Sequence, residues 1–183
     1  MKIPDKMDFP VDQTRQLLEP GPIILVSSAY QGHQDIMTMG WYMMMEYTMV
    51  GCYIWDQNHS RSLIRNSGEC VINVPTIDMI DTVIDIGTSH ATDNDEIDKF
   101  EKFALTTKAA SKVGAPLIAE CYANFECKLI DDSLIDKYSL FVFEVVKGHK
   151  AAHPEYPKTV HYRGGGKFMA SGENLDYSHR LNI

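Results

Sequence analysis

The chain has 183 residues, 44% of them hydrophobic and 23% charged, with 17 Lys and Arg against 25 Asp and Glu for a net charge of −8. Length and composition suit one globular domain over residues 1–183 with a core of its own. An acidic balance carries no basic surplus to displace counterions, which argues against a general nucleic-acid or anionic-membrane binder. The N-terminus, MKIPDKMDFP, lacks the apolar core of a signal peptide. No apolar run approaches the roughly 20 residues of a membrane helix. A cytoplasmic location is therefore expected. Cys52, Cys70, Cys121 and Cys127 form no C-x-x-C pair and sit among apolar residues, so they read as reduced, buried, small hydrophobes. The seven His residues form no H-E-x-x-H pair, and no metal site is expected.

Residues 3–20 read as an irregular entry. Pro20-Gly21-Pro22 launches a buried strand over Ile23–Ser28, and Gly32 marks a hairpin turn. Ten Met occur in the chain, six of them between Met37 and Met49. Met37, Met39, Trp41, Met43, Met45, Tyr47 and Met49 alternate with Thr38, Gly40, Tyr42, Met44, Glu46 and Thr48. That period of two predicts an extended run with the odd positions facing core or interface. Val50–Trp55 is a further strand. Ser60 is placed to cap a short helix over Arg61–Ser67, stopped by Gly68. Cys70–Val74 is a strand ended by Pro75. Thr76 is placed to cap a second helix with Ile77, Ile80 and Ile84 on its core face. Asp95–Phe103 reads as a third helix. Residues 119–129 alternate as a strand, Ser139–Val146 is an apolar strand, and Thr159–Arg163 with Lys167–Ala170 form a final hairpin around Gly164-Gly165-Gly166. Six or seven strands with short helices predict an antiparallel, closed or partly closed barrel and disfavour a doubly wound sheet.

No G-x-x-x-x-G-K-[ST], G-x-G-x-x-G or G-x-S-x-G occurs, which excludes the P-loop, the usual dinucleotide turn and the nucleophile elbow. Gly164–Gly166 reads as a turn, with an anion held on its backbone N–H groups as the alternative. Asn58-His59-Ser60 precedes a helix start, where unpaired N–H groups suit a phosphate, and Arg61 and Arg65 add positive charge.

The ordered set Pro22-Ile-Ile-Leu-Val-Ser, Asp35-Ile-Met-Thr-Met-Gly-Trp41, Val50-Gly-Cys, Asn58-His-Ser60 and Gly68-Glu-Cys-Val-Ile-Asn-Val-Pro75 resembles the flavin reductase-like FMN-binding split-barrel family, especially its flavoredoxin branch. Asp98-Lys99-Phe100, the segment Gly114–Tyr122, and His161-Tyr-Arg-Gly164 with Phe168-Met169 extend the resemblance over roughly residues 20–173. It implies a mainly β fold with short helices: a six-stranded antiparallel split β-barrel. It also implies a homodimer with FMN near the subunit interface.

The same resemblance implies site residues. Met37-Thr38 and Met39 run beside the flavin ring, with Thr38 turned away from the methionines and toward the ring. Trp41 forms a wall, and Cys52 lies on the strand beneath the flavin. Asn58, His59 and Ser60 lie on the phosphate side. Ser89, His90 and Lys99 close over the phosphate or ribityl chain. His161 and Arg163 lie at or near the ring, and one or the other stabilises the charge of its reduced form. Asp35 stands where the family carries Asn, and His90-Ala91 where it carries Gly-Arg; a carboxylate at 35 would oppose a phosphate. No side chain is expected to act as acid or base. The activity implied is hydride transfer from NAD(P)H to the flavin, with electrons passed on to an acceptor. Two alternatives stand beside it: a flavoredoxin-type carrier between redox protein partners that works without nicotinamide, and a split-barrel module that no longer binds flavin.

Overall fold

The computed structural model describes residues 3–89 and 98–181. In chain order the strands and helices begin with β1 (Lys6–Phe9), α1 (Arg15–Leu18), β2 (Ile24–Tyr30), β3 (His33–Met39), β4 (Tyr42–Met44) and β5 (Met49–Tyr53). Next come α2 (His59–Ser67), β6 (Glu69–Val74), α3 (Ile80–Thr88), α4 (Lys99–Lys102), β7 (Thr107–Lys108) and β8 (Leu117–Ile118). The chain ends with β9 (Ala123–Asp131), α5 (Ile135–Tyr138), β10 (Leu140–Ala151), β11 (Val160–Gly164) and β12 (Lys167–Ala170). The main sheet is antiparallel and runs β3-β2-β6-β9-β10-β5-β4, with β1 added along the far half of β10. It is a mainly β half-barrel with few short helices.

Eight strands make this sheet, not the expected six. β1 escaped notice because Asp8 interrupts its apolar pattern, and its pairing with Gly148–Ala151 is a long-range event. The Met run is the second difference. It is not one extended segment but the end of β3, a break at Gly40-Trp41, the short β4, a turn, and β5. The break inverts the alternation: Met37 and Met39 are buried, whereas Trp41, Met43, Met45 and Tyr47 are exposed, and Tyr42 and Met44 pack on the core. Pairing of β4 with β5 holds the new register through Tyr42 opposite Cys52 and Met44 opposite Val50.

The core has two main compartments because the central strands are apolar on both faces. Ile24, Val26, Met37, Met39, Cys70, Ile72, Phe125, Phe141 and Phe143 fill the concave side. Ile23, Leu25 and Ile36 point the other way and pack against Met79, Val83, Ile86 and Phe100. Full burial of each such side chain contributes about 1.5–3 kcal/mol. The core face of α3 and the turn before it is thus Met79, Val83 and Ile86; Ile77, Ile80 and Ile84 are only half buried. Asp98 caps α4 by accepting from the Phe100 N–H at 2.8 Å. The expected helix start at Asp95 lies outside the described residues.

Gly68 ends α2 in the left-handed conformation at φ 69°, and its N–H donates to the Ile64 carbonyl at 2.8 Å. The N-cap of α2 is Asn58 and not Ser60; Ser60 lies inside the first turn, which sends its hydroxyl across to β3.

Candidate functional site

Two adjoining cavities lie between the outer face of β3, α3 and the start of α2. The larger, about 890 Å³, is walled by Ile23, Met39, Trp41, Tyr53, Val83 and Ile84, and by Tyr162 and Phe168 of the last hairpin. The smaller, about 200 Å³, is bordered by Asp35, Gln57, His59, Ser60, Ser89 and Lys99. Met37, Thr38, Trp55, Asn58 and Gly87 border both, so the two form one continuous site.

Strand period explains which groups reach it. β3 turns Met37 inward and Thr38 toward α3, where the Thr38 hydroxyl donates to the Val83 carbonyl at 2.7 Å. Thr38 does face opposite to the methionines, and its hydroxyl proton is committed to α3. Trp41 is 73% exposed and packs its ring against Tyr53 with centroids 5.4 Å apart. The Tyr162 and Phe168 rings sit 5.0 Å apart at the other lip. Gly164, Gly165 and Gly166 all have positive φ, which a glycine turn between these two aromatics supplies without strain.

At the small end, no side chain caps α2. The Asn58 amide group donates to Met37 Sδ at 3.2 Å, and its oxygen accepts from no helix N–H. The α2 start therefore meets the cavity with its partial positive charge uncompensated by a cap. Lys99 and Asp35 form a buried ion pair at 2.8 Å, and the Ser60 hydroxyl donates to the same carboxylate at 2.5 Å. Ser89 turns its hydroxyl back to the Ile86 carbonyl at 2.9 Å.

Several expected site residues lie elsewhere. The Cys52 side chain is buried in the barrel interior, where burial pushes its thiol well above the ordinary range; its neighbour Tyr53 reaches the cavity wall. His161 is a structural tie: one ring nitrogen meets Thr159 Oγ1 at 2.9 Å and the other the Gly21 carbonyl at 3.1 Å. Arg163 projects from the hairpin and donates to Met169 Sδ at 3.0 Å. Arg163→Ala is accordingly expected to leave flavin affinity within about twofold of the parent in a fluorescence titration, since exposed contacts contribute little. Arg61 bonds the carbonyls of Ile54 and Ile135, and Arg65 pairs with Asp136, so neither supplies charge to the small cavity. His90 lies outside the described residues. Sequence reasoning missed Tyr53, Trp55, Gly87, Tyr162 and Phe168; aromatics flanking the triple-glycine turn were the available signal for the last pair.

A half-barrel with a flat apolar cleft opening into a polar pocket at a helix start defines a class of proteins that hold a planar ligand with an anionic tail. Residues 17–169 match the flavin reductase like domain, and the chain belongs to that family. Its fold superimposes with a TM-score of 0.87 on an FMN-binding domain of a flavin reductases-like enzyme from Shewanella baltica OS155. That match is 24% identical and covers 96% of this chain and 99% of that one. Flavoredoxin of Desulfovibrio vulgaris (Miyazaki F) follows at a TM-score of 0.76 and 20% identity, covering 90% and 94% of the two chains. An uncharacterized protein of Archaeoglobus fulgidus is 35% identical over 115 residues, 61% of this chain and 63% of that protein. The matched stretch thus spans less than two thirds of that curated relative.

A flavin fits the site on the structure's own terms. Polarizable methionines (Met37, Met39) and flat indoles (Trp41, Trp55) wall a cleft large enough for a three-ring system. An uncapped helix start and Lys99 stand where an anionic tail would emerge.

Proposed function

We propose that the chain is an FMN-binding oxidoreductase that takes reducing equivalents from NAD(P)H and hands them to an acceptor. The observation that carries this reading is the continuity of the aromatic cleft with the polar pocket at the α2 start, in a member of the flavin reductase-like family. Bound FMN supplies the redox chemistry, hydride acceptance followed by electron release. The chain's residues position and shield. Met37, Met39 and Thr38 form the floor, Trp41 and Trp55 bound the cleft mouth, and Tyr162 with Phe168 close the opposite lip against water. Since Thr38 donates to Val83, its side chain offers a ligand lone pairs only.

A second reading, an electron carrier between redox proteins without nicotinamide, has its own support. Among the described residues no Lys, Arg or His borders the larger cavity, so no side-chain cation is at hand there for a dinucleotide's phosphates. Anaerobic addition of NADH or NADPH to the flavin-loaded protein separates the two. Bleaching of the flavin bands at a catalytic rate supports the reductase. Bleaching by dithionite but by neither nicotinamide supports the carrier. A colourless protein that ignores added FMN overturns both.

The chain is further proposed to act as a homodimer through the β4–β5 face. Trp41, Met43, Met45, Tyr47 and Trp55 are each about half or more exposed there, an apolar cluster with no cover of its own. Two of them, Trp41 and Trp55, also border the cleft, which supports an interface beside the flavin. The double change Met43→Asp/Met45→Asp is expected to halve the mass measured by light scattering. A dimer that survives it places the interface elsewhere.

A further inference from the structure

The small cavity contains an anion of the chain's own. Asp35 is only 2% exposed, and its two carboxylate oxygens are taken by Lys99 Nζ at 2.8 Å and by the Ser60 hydroxyl at 2.5 Å. Lys99 spends a second donor on the Ile36 carbonyl at 3.1 Å, which leaves one of its three N–H groups for anything in the cavity. Ser60 has one hydroxyl proton, and it points at Asp35, so the oxygen shows only lone pairs to a phosphate. The Asp35–Lys99 pair is electrically neutral. Arg61 and Arg65 are bonded elsewhere, so among the described residues the attraction for a dianion rests chiefly on the α2 start. A site built to grip a phosphate directs its hydroxyl and ammonium donors at the ligand; here they are directed at a buried carboxylate.

We propose that Asp35 is a positioning residue that sets flavin choice, by occupying Lys99 and Ser60 so that the phosphate of FMN adds little to binding. The site then holds the flavin chiefly by its ring, accepts riboflavin nearly as well as FMN, and exchanges its flavin as a substrate does. This rests on the flavin reading above and concerns only the tail. Replacement of Asp35 by Asn keeps size and one acceptor but removes the charge, releasing the Lys99 ammonium toward the ligand.

The test is equilibrium titration of FMN and of riboflavin, followed by flavin fluorescence, on the parent and on Asp35→Asn. The parent is expected to bind FMN no more than about fivefold tighter than riboflavin, where a fully used phosphate site yields several hundredfold. Asp35→Asn is expected to tighten FMN by about tenfold or more and to shift riboflavin by less than about threefold. That split cannot come from altered folding, which moves both ligands together. A parent that prefers FMN by about a hundredfold overturns the proposal without any variant. So does an Asp35→Asn protein whose FMN and riboflavin affinities move in parallel, or whose FMN affinity falls. Failure of the parent to bind either flavin defeats the flavin reading itself, and is distinct from tight, phosphate-dependent FMN binding, which defeats only the role of Asp35.

Discussion

Gly87→Val is expected to weaken flavin binding by about 100-fold while leaving the fold intact, because it fills the junction of the two cavities. Gly87 lies near the end of α3 and borders both cavities, as does Thr38 across from it. A Cβ at 87 would come within 3.2 Å of Thr38 Cβ and 3.4 Å of its Oγ1, tighter than ordinary van der Waals contact. Thr38 has little room to give, since its hydroxyl is tied to Val83 on the same helix. The two γ-methyls of valine extend beyond that contact into the passage that a ring-plus-tail ligand must cross. Crowding against Thr38 costs about 1–3 kcal/mol, offset in part by removal of a helical glycine, so the melt falls by a few degrees while the fold persists. Gly87→Ala is expected to be intermediate, with about a tenfold loss. Flavin titration and a thermal melt on the same samples check both. Parent-like affinity in Gly87→Val means that the ligand does not run along the edge that Thr38 and Gly87 share, and the joined-cavity site must be redrawn.

Local pattern carried much of the fold and less of the site. Ile24–Tyr30 and Glu69–Val74 were readable because strands buried on both faces are apolar without interruption. The Gln31-Gly32 turn and the Gly68 stop were readable because positive φ selects its residues. The Met run was not: a period of two continues across Gly40 in the sequence, but the chain breaks there and changes which side the core lies on. Periodicity reports alternation, not the location of the partner. His161 and Arg163 were placed by resemblance, and neither borders the cavities. In β11 they share the face opposite to that of Tyr162, and Tyr162 is the one at the cleft. Charge misled at Arg61 and Arg65: beside the nearby Ile54 carbonyl, their partners are the Ile135 carbonyl and the Asp136 carboxylate, about 70 residues away in sequence, which no local reading reveals. Asp35 was legible as an oddity. Its meaning needed the structure, which shows the two donors it takes.

Glu126→Ala is expected to cost about 3 kcal/mol of stability, lowering the melting temperature by roughly 10 °C at neutral pH. The alternation in β9 sends Glu126 to the convex side of the sheet, yet its side chain is fully buried, because an irregular strap around β7 and β8 covers it. Its carboxylate is what fastens that strap. It accepts from the backbone N–H of Ser111 at 3.0 Å and of Lys112 at 2.5 Å, from the Ser111 hydroxyl at 3.0 Å, and meets His149 Nε2 at 2.8 Å. Burial works to raise the carboxyl pKa, but the bonds from His149, Ser111 and Lys112 outweigh it and hold the group below its ordinary value of 4.5. Alanine removes a fully buried charged acceptor that three donors of the strap and His149 share, and bonds to a charged group contribute about 1.5–3 kcal/mol each. Glu126→Gln, which keeps one acceptor but loses the charge, is expected to fall between the two. The sign with pH follows from the lowered pKa. The stabilisation is fully present above the unfolded-state value near 4.5, and fades as pH falls through the folded-state value below it. Melts of parent and Glu126→Ala should therefore differ most above about pH 5 and draw closer as pH falls below about 4.5. A gap that persists undiminished into strong acid means that Glu126 acts by packing alone, and that the charge-assisted strap is not what holds residues 111 and 112 to the sheet.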